Sequence, residues 1–184
     1  MATTVRLNLS WAKTMTGELR YVTFNTDMGW VGILGSAKGL LCITLPQRSA
    51  QEARQLLGGS VNDATWAPHL FDDIIQRFGL YFSGHRVTFP DELDFSGATP
   101  FQRQVWEETR LISYGETRSY AWVARQVGKP KAARAVGQAM SSNPLPIIIP
   151  CHRVITSNGK LGGFGGGLEM KRQLLSLEAA ASTG

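Results

Sequence analysis

At Thr99-Pro100 the sequence changes pattern, and that change limits what the chain can fold into. Before it, short runs rich in β-branched and aromatic residues alternate with turn residues, the signature of strands. After it, apolar residues recur at helical spacing. Thr99 is a good helix N-cap, and Pro100 suits the first helical position, where a missing N–H costs nothing. A helix is therefore predicted to about Leu111, turning Phe101, Val105, Trp106 and Thr109 towards a core. The boundary predicts an N-terminal domain over residues 1–95 and a C-terminal domain over 96–184, with Pro90–Gly97 as part of a connector.

In the first half, Tyr21–Asn25, Gly29–Gly35 and Leu40–Leu45 read as three strands of an antiparallel meander, separated by turn residues. Ser49, with Glu52 three residues on, opens a helix through a capping box. A second helix is predicted over His69–Phe82, burying Leu70, Ile74, Phe78 and Phe82.

In the second half, helices are predicted at Ser119–Val127 and Lys131–Met140, joined by Gly128-Lys129-Pro130. Two short helices around a tight turn are the outline of a helix-turn-helix, although an ordinary αα-hairpin has the same spacing. Ile147-Ile148-Ile149 reads as a buried extended segment. Asn158-Gly159, between Val154-Ile155 and Lys160-Leu161, predicts a hairpin. A hairpin after a helix-turn-helix would make a winged helix. Five glycines surround Phe164 between Gly162 and Gly167, and a last amphipathic helix carries Leu168, Leu174, Leu175 and Leu177.

Composition excludes several classes. With 184 residues, 43% of them hydrophobic and 18% charged, the chain can build real cores. The N-terminus lacks the basic start and apolar core of a secretion signal. No apolar run approaches the roughly 20 residues that span a bilayer. An intracellular, cytoplasmic protein without membrane contact is expected. Two cysteines, Cys42 and Cys151, and three histidines fall short of a zinc set, so no metal and no cofactor are expected. A disulfide between the two cysteines is not expected in a reducing compartment.

Charge is unevenly spread. Residues 1–95 carry eight Lys/Arg against nine Asp/Glu, whereas residues 96–184 carry eleven against five. The positive excess of the second half would suit a polyanion, though charge alone does not separate that from an ordinary basic surface.

Pro150-Cys151-His152-Arg153 is where chemistry is expected. It sets a thiol beside an imidazole and a guanidinium, and nearby positive charge or a base raises the share of nucleophilic thiolate. Cys42, inside Leu40-Leu41-Cys42-Ile43, reads as a small core hydrophobe instead. Adjacent residues of an extended chain point to opposite sides, so His152 cannot simply lie against the Cys151 sulfur. Either the backbone bends there or a water relays the proton.

Ile149-Pro150-Cys151-His152-Arg153-Val154 resembles the active-site motif of the O6-alkylguanine-DNA alkyltransferases. The segment from Pro130-Lys131-Ala132-Ala133-Arg134 through Asn143-Pro144 resembles their recognition helix and the turn behind it. The resemblance runs from about Phe101 to Glu178. Before residue 95 it rests on the order of elements and on Tyr81-Phe82-Ser83-Gly84. It implies an α/β N-terminal domain, a small antiparallel sheet plus helices of ribonuclease H-like kind. A mostly α winged-helix (helix-turn-helix) domain would follow, carrying both DNA binding and catalysis.

What the resemblance implies for function is direct-reversal repair. The alkyl group of O6-alkylguanine in DNA, with O4-alkylthymine a second candidate, would pass irreversibly to Cys151, once per molecule. His152 would be the base through a bridging water, Glu178 would orient it, and Asn143 would tie the active-site turn together. Tyr120 would protonate guanine N3 and assist rotation of the base. Arg134 would fill the space left by the flipped nucleotide. Small residues (Ala132, Ala133, Ala135, Gly137, Ala139) would slim the helix for a minor groove, with Lys131 beside the DNA. Binding would be independent of sequence and driven by phosphate contacts. Val154, Phe164, Gly165, Pro146 and Met140 would form the substrate pocket, the Val154 carbonyl meeting the guanine amino group. Many family members have tyrosine and serine where this chain has Phe164 and Gly165, so a hydroxyl contact is lost and a roomier pocket is expected. The partner would be double-stranded DNA bound by a monomer, with cooperativity left open.

Two other classes compete. A DNA-binding regulator or lesion sensor would share the helix-turn-helix, but such sensors lack the acceptor cysteine. A Cys/His hydrolase would need an oxyanion hole, to which nothing else in the sequence points.

Overall fold

The three apolar runs near the N-terminus are strands β1 (Arg20–Thr26), β2 (Gly29–Ser36) and β3 (Gly39–Ile43) of the computed structural model, which describes residues 18–181. The described residues divide into two units, one ending at Gly97 and one starting at Ala98.

In the first unit β1, β2 and β3 pair antiparallel in sequence order, as expected. Val22 and Phe24 alternate inward along β1, whereas every residue from Val31 to Gly35 of the central strand β2 is buried. Helices α1 (Ala50–Leu56) and α2 (Asp72–Phe82) pack on the sheet. One core cluster joins Leu19, Leu34, Leu41, Leu57 and Val61 with Cys42, which confirms the core placement of that cysteine. Phe24 meets Phe78 of α2 at 6.0 Å between ring centroids. Each such side chain contributes about 1.5–3 kcal/mol on full burial.

Three details differ from expectation. The sheet is mixed, because β4 (Thr65–Trp66) pairs parallel with β1 on the edge. Two exposed residues leave no alternation for a sequence pattern to catch. The helix expected from His69 starts only at Asp72, after a separate 3₁₀ turn over Pro68–Leu70. Leu70, on that turn, is 59% exposed rather than buried. Asp72 and Asp73 give the true start its favourable negative charge. The Ser49 cap is present, its hydroxyl accepting the Glu52 N–H at 3.1 Å, but Glu52 reaches the N–H of Arg48 instead of Ser49. The connector is not slack. Leu40 N–H donates to Glu92 O and Asp94 N–H to Leu40 O, so residues 92–94 lie along β3. Gly39 has φ +136° there, and a Cβ would stand 2.3 Å from the Glu92 carbonyl oxygen.

The second unit opens with α3 (Pro100–Arg110), held by a full Thr99–Gln102 capping box. Val105, Trp106 and Thr109 are buried as predicted; Phe101 is half-buried, with the Lys129 ammonium 5.0 Å from its ring centroid. Helices α4 (Tyr120–Gln126) and α5 (Ala133–Ser141) form the expected helix pair, with Gly128 at φ +70° in the turn. Trp106 Nε1 donates to Ala139 O at 2.8 Å and anchors α5 on α3. Ala139 therefore faces the core, not a groove.

The remaining corrections lie around the active-site turn. Ile147–Ile149 is buried but not extended, since Ile147 has φ +76° and Ile149 N–H closes back onto Leu145 O. The hairpin at Asn158-Gly159 is reduced to its turn, with Gly159 at φ +80° and Thr156 N–H bonded to Lys160 O. Val154–Ile155 (β6) pairs instead, in parallel, with Arg118–Ser119 (β5). The would-be return strand has its carbonyls taken elsewhere: Lys160 O also accepts from the Thr156 hydroxyl, and Leu161 O from Lys171. The last helix is α6 (Gly167–Ala181). Its buried stripe is Lys171, Leu174 and Glu178, while Leu168 is exposed. Among the described residues no helix is long and apolar enough to cross a membrane.

Candidate active site

Cys151 begins a single 3₁₀ turn, Cys151–Arg153, directly after Pro150. The backbone bend anticipated between thiol and imidazole is this turn. Asn143 sits behind it. Its side-chain amide donates to Ile149 O at 2.9 Å and to Cys151 Sγ at 3.2 Å, while its carbonyl accepts from Leu145 N–H at 2.9 Å. One side chain thus closes the loop that Ile147 bends and presents a donor to the sulfur.

Both cysteines are buried, yet their electrostatics differ. Burial alone pushes the Cys42 thiol up to about 12. Burial also raises Cys151, but four features oppose it: the Asn143 amide, the Lys171 charge, and the backbone N–H groups of Cys151 and His152. Those features favour negative charge on one sulfur and not on the other. Cys151 still rests as a thiol, so a base is required.

That base is adjacent. His152 is fully buried, and its Nε2 lies 2.7 Å from Glu178 Oε1 of α6. Burial lowers the imidazole pKa, with Glu178 opposing the shift. Glu178 is fully buried too and is gripped from the other side by Arg153, whose Nε and Nη2 donate to its two oxygens at 2.9 Å each. Arg153 also donates to Ile112 O at 2.6 Å. Burial raises Glu178, but the bonds from His152 and Arg153 prevail and hold it far below the usual carboxylate range. The carboxylate is charged at neutral pH, so it can orient the imidazole and stabilise its cation.

Cys151 borders a cavity of about 590 Å³. Tyr120, the first residue of α4, forms one wall, and Ala133, Arg134, Gly137 and Met140 of α5 contribute another. Phe164 and Gly165 of the glycine-rich loop complete it. The Tyr120 hydroxyl donates to Gly163 O at 3.4 Å, and burial raises its pKa, so it stays protonated. Arg134 is exposed at the mouth, with Ala135 and Lys131 exposed beside it. Among the described residues no group of three His, Cys, Asp or Glu side chains could hold a metal ion.

The C-terminal unit matches the family model for the DNA-binding domain of 6-O-methylguanine DNA methyltransferase over residues 100–180. The methylated-DNA–protein-cysteine methyltransferase of Mycolicibacterium paratuberculosis is 41% identical over 87% of this chain and 92% of its own length. The constitutive enzyme of the same name from Bacillus subtilis is 40% identical over 86% of this chain and 94% of its own. The chain belongs to the methylated-DNA–protein-cysteine methyltransferase family. Crystal structures of its members superpose well. The Mycobacterium tuberculosis O6-methylguanine methyltransferase gives a TM-score of 0.74 at 39% identity, covering 89% of this chain and 94% of that one. The same organism's protein in complex with DNA gives 0.75 at 40% identity, covering 88% and 94%.

Within this family member, the structure brings together Cys151, His152, Glu178, Asn143 and Tyr120 and sets Arg134 at the cavity mouth. Two expected pocket residues stand apart from it: Pro146 and Val154 are buried and do not line the cavity. The Val154 carbonyl, expected to meet the guanine amino group, accepts from Lys171 Nζ at 2.7 Å. Thr156, Ser157 and Gly162 line the cavity and were not anticipated. Lys171 was also missed as part of the site, and Arg153, expected as a positive charge beside the thiol, instead grips Glu178. Lys171 shares a helical stripe with Leu174 and Glu178, and that spacing was the available signal.

Proposed function

We infer that this chain reverses alkylation damage in DNA by moving one alkyl group from the O6 atom of guanine to Cys151. The observation that carries the reading is the buried Cys151–Asn143 and His152–Glu178 pairing beside a cavity walled by the helix-turn-helix.

The Cys151 proton passes through a water to His152, whose cation Glu178 stabilises. The sulfur attacks the O6-bound carbon; the S–C bond forms as the C–O6 bond breaks, and the electron pair leaves with the guanine. The Tyr120 hydroxyl supplies a proton to guanine N3 and regains one from the imidazolium. Alkylated cysteine and restored guanine result, and no cofactor takes part.

DNA is the partner. The exposed start of α5 (Arg134, Ala135), with Lys131 in the turn just before it, meets the minor groove, with Arg134 entering the stack when the base turns out. The helix pair and the loop after Ile155 play the parts of a winged helix. The N-terminal sheet and helices serve as a ribonuclease H-like support. The protein acts as a monomer inside the cell, where the DNA is. The test is label transfer from a duplex carrying methyl-labelled O6-methylguanine. The parent chain should take up the label, and Cys151→Ala should take up none while still binding the duplex. Labelling of Cys151→Ala sinks the assignment.

A further inference from the structure

Lys171 is a fully buried lysine on α6. Its ammonium donates to Val154 O at 2.7 Å and Leu161 O at 2.5 Å, and reaches Gly163 O at 3.5 Å. Among the described residues no carboxylate lies within ion-pair distance of it. A buried cation held by carbonyls alone is costly, because dipoles replace water imperfectly. The carbonyls it gathers belong to the end of the active-site turn and to the glycine-rich loop that walls the cavity.

We propose that Lys171 is a positioning residue of the alkyl-transfer site, fastening the cavity's glycine loop to the active-site turn and giving the Cys151 thiolate a buried counter-charge. The proposal rests on Cys151 being the acceptor.

Two observations meet at this side chain. Gly163 O accepts from both the Lys171 ammonium and the Tyr120 hydroxyl, and the ammonium lies 5.9 Å from the Tyr120 ring centroid. At Gly162, with φ +69°, a Cβ would stand 3.0 Å from the Tyr120 ring, so the loop lies flush on that wall. Lys171 therefore sets the distance between loop and tyrosine. The second observation is electrostatic. Burial lowers the lysine to about 8, and the group that favours its charged form is Cys151. The coupling is mutual, since the Lys171 charge favours the thiolate. The other titratable groups facing this region are His152, whose protonation Lys171 disfavours, and Tyr120; Glu178, on the same helix, is held by His152 and Arg153. A cation here thus favours thiolate over thiol at Cys151 without touching the reacting atoms.

The test is the rate of Cys151 benzylation by free O6-benzylguanine from pH 6 to 10, which needs no DNA contact. In the parent chain the rate should rise with pH to a plateau, with a midpoint set by ionisation of Cys151. Lys171→Arg keeps the positive charge, so its midpoint should stay near the parent's whatever its absolute rate. Lys171→Gln removes the charge; its acid-side midpoint should move up by about one unit and its rate at neutral pH should fall about tenfold. A merely structural lysine predicts slower reaction with an unmoved midpoint. An unmoved midpoint in Lys171→Gln, or a midpoint in Lys171→Arg that moves as far as that of Lys171→Gln, overturns the proposal. The midpoint is a property of the molecules that react, so it does not depend on how much of a variant folds. A parent chain that takes up neither this benzyl group nor a methyl group from duplex O6-methylguanine overturns the acceptor reading as well, which separates the two failures.

Discussion

His152 Nε2 and Glu178 Oε1 lie 2.7 Å apart, and both side chains are fully buried. They come from a 3₁₀ turn and from the last helix, 26 positions apart, so the pair joins catalysis to the integrity of the fold. Glu178→Gln keeps the shape but removes the charge that Arg153 and His152 share. Breaking a buried charge cluster on one side costs about 3–5 kcal/mol. The expected outcome is a marked fall in melting temperature and slower benzylation by free O6-benzylguanine, both read on one preparation. An unchanged melting temperature contradicts the cluster's structural role.

The same pair fixes the sign of acid sensitivity. Glu178 and His152 both have folded-state pKa values below their ordinary ones. The unfolded chain then binds more protons than the folded one, so stability falls as pH falls. The His152 share should begin to be lost below about 6.5 and the Glu178 share below about 4.3, their unfolded values. Denaturant midpoints from pH 8 to 4 should decline in the parent and decline less steeply below 5 in Glu178→Gln. Parallel curves would rule this out.

Asn143→Ala removes two donated bonds and one accepted bond from the loop that presents the sulfur. The buried Leu145 N–H loses its partner, at about 1–3 kcal/mol, while the Ile149 carbonyl keeps the Cys151 N–H. Loss of the donor to sulfur also raises Cys151 further. Transfer should slow at least tenfold at neutral pH and recover partly as pH rises. Rapid-quench rates from pH 7 to 9 decide it; a slowdown equal at every pH leaves the sulfur bond without a chemical role.

Arg134→Ala should slow repair of duplex DNA far more than reaction with free O6-benzylguanine. Arg134 stands exposed at the cavity mouth, outside the hydrogen-bond network of the sulfur. Its contribution belongs to base rotation, which costs a few kcal/mol in duplex and nothing for a free base. Equal slowing on both substrates refutes the role.

Much of the site was legible because its residues are neighbours in sequence. Pro150 to Arg153, Asn143 and the Thr99-Pro100 boundary each carry a local signal, and the helix pair shows by its spacing. Lys171 and the Glu178–Arg153 grip were not legible. A lysine and a glutamate on a terminal helix read as solvated; their burial depends on Val154, Leu161 and Arg153, which other segments supply. The expected hairpin failed for a related reason. Asn158-Gly159 specifies a turn, but the pairing partner of Val154–Ile155 is Arg118–Ser119, 36 positions away. Two-residue strands such as these, like Thr65–Trp66, are made by tertiary contact and have no period to detect.

Transfer to Cys151 is decided by intact-protein mass spectrometry after incubation with a duplex carrying one O6-methylguanine. One added methyl per protein molecule is expected, located by peptide mapping on Cys151, with guanine restored in the DNA and no second turnover. An unmodified protein that still binds the lesion, or a methyl group on any other residue, contradicts it.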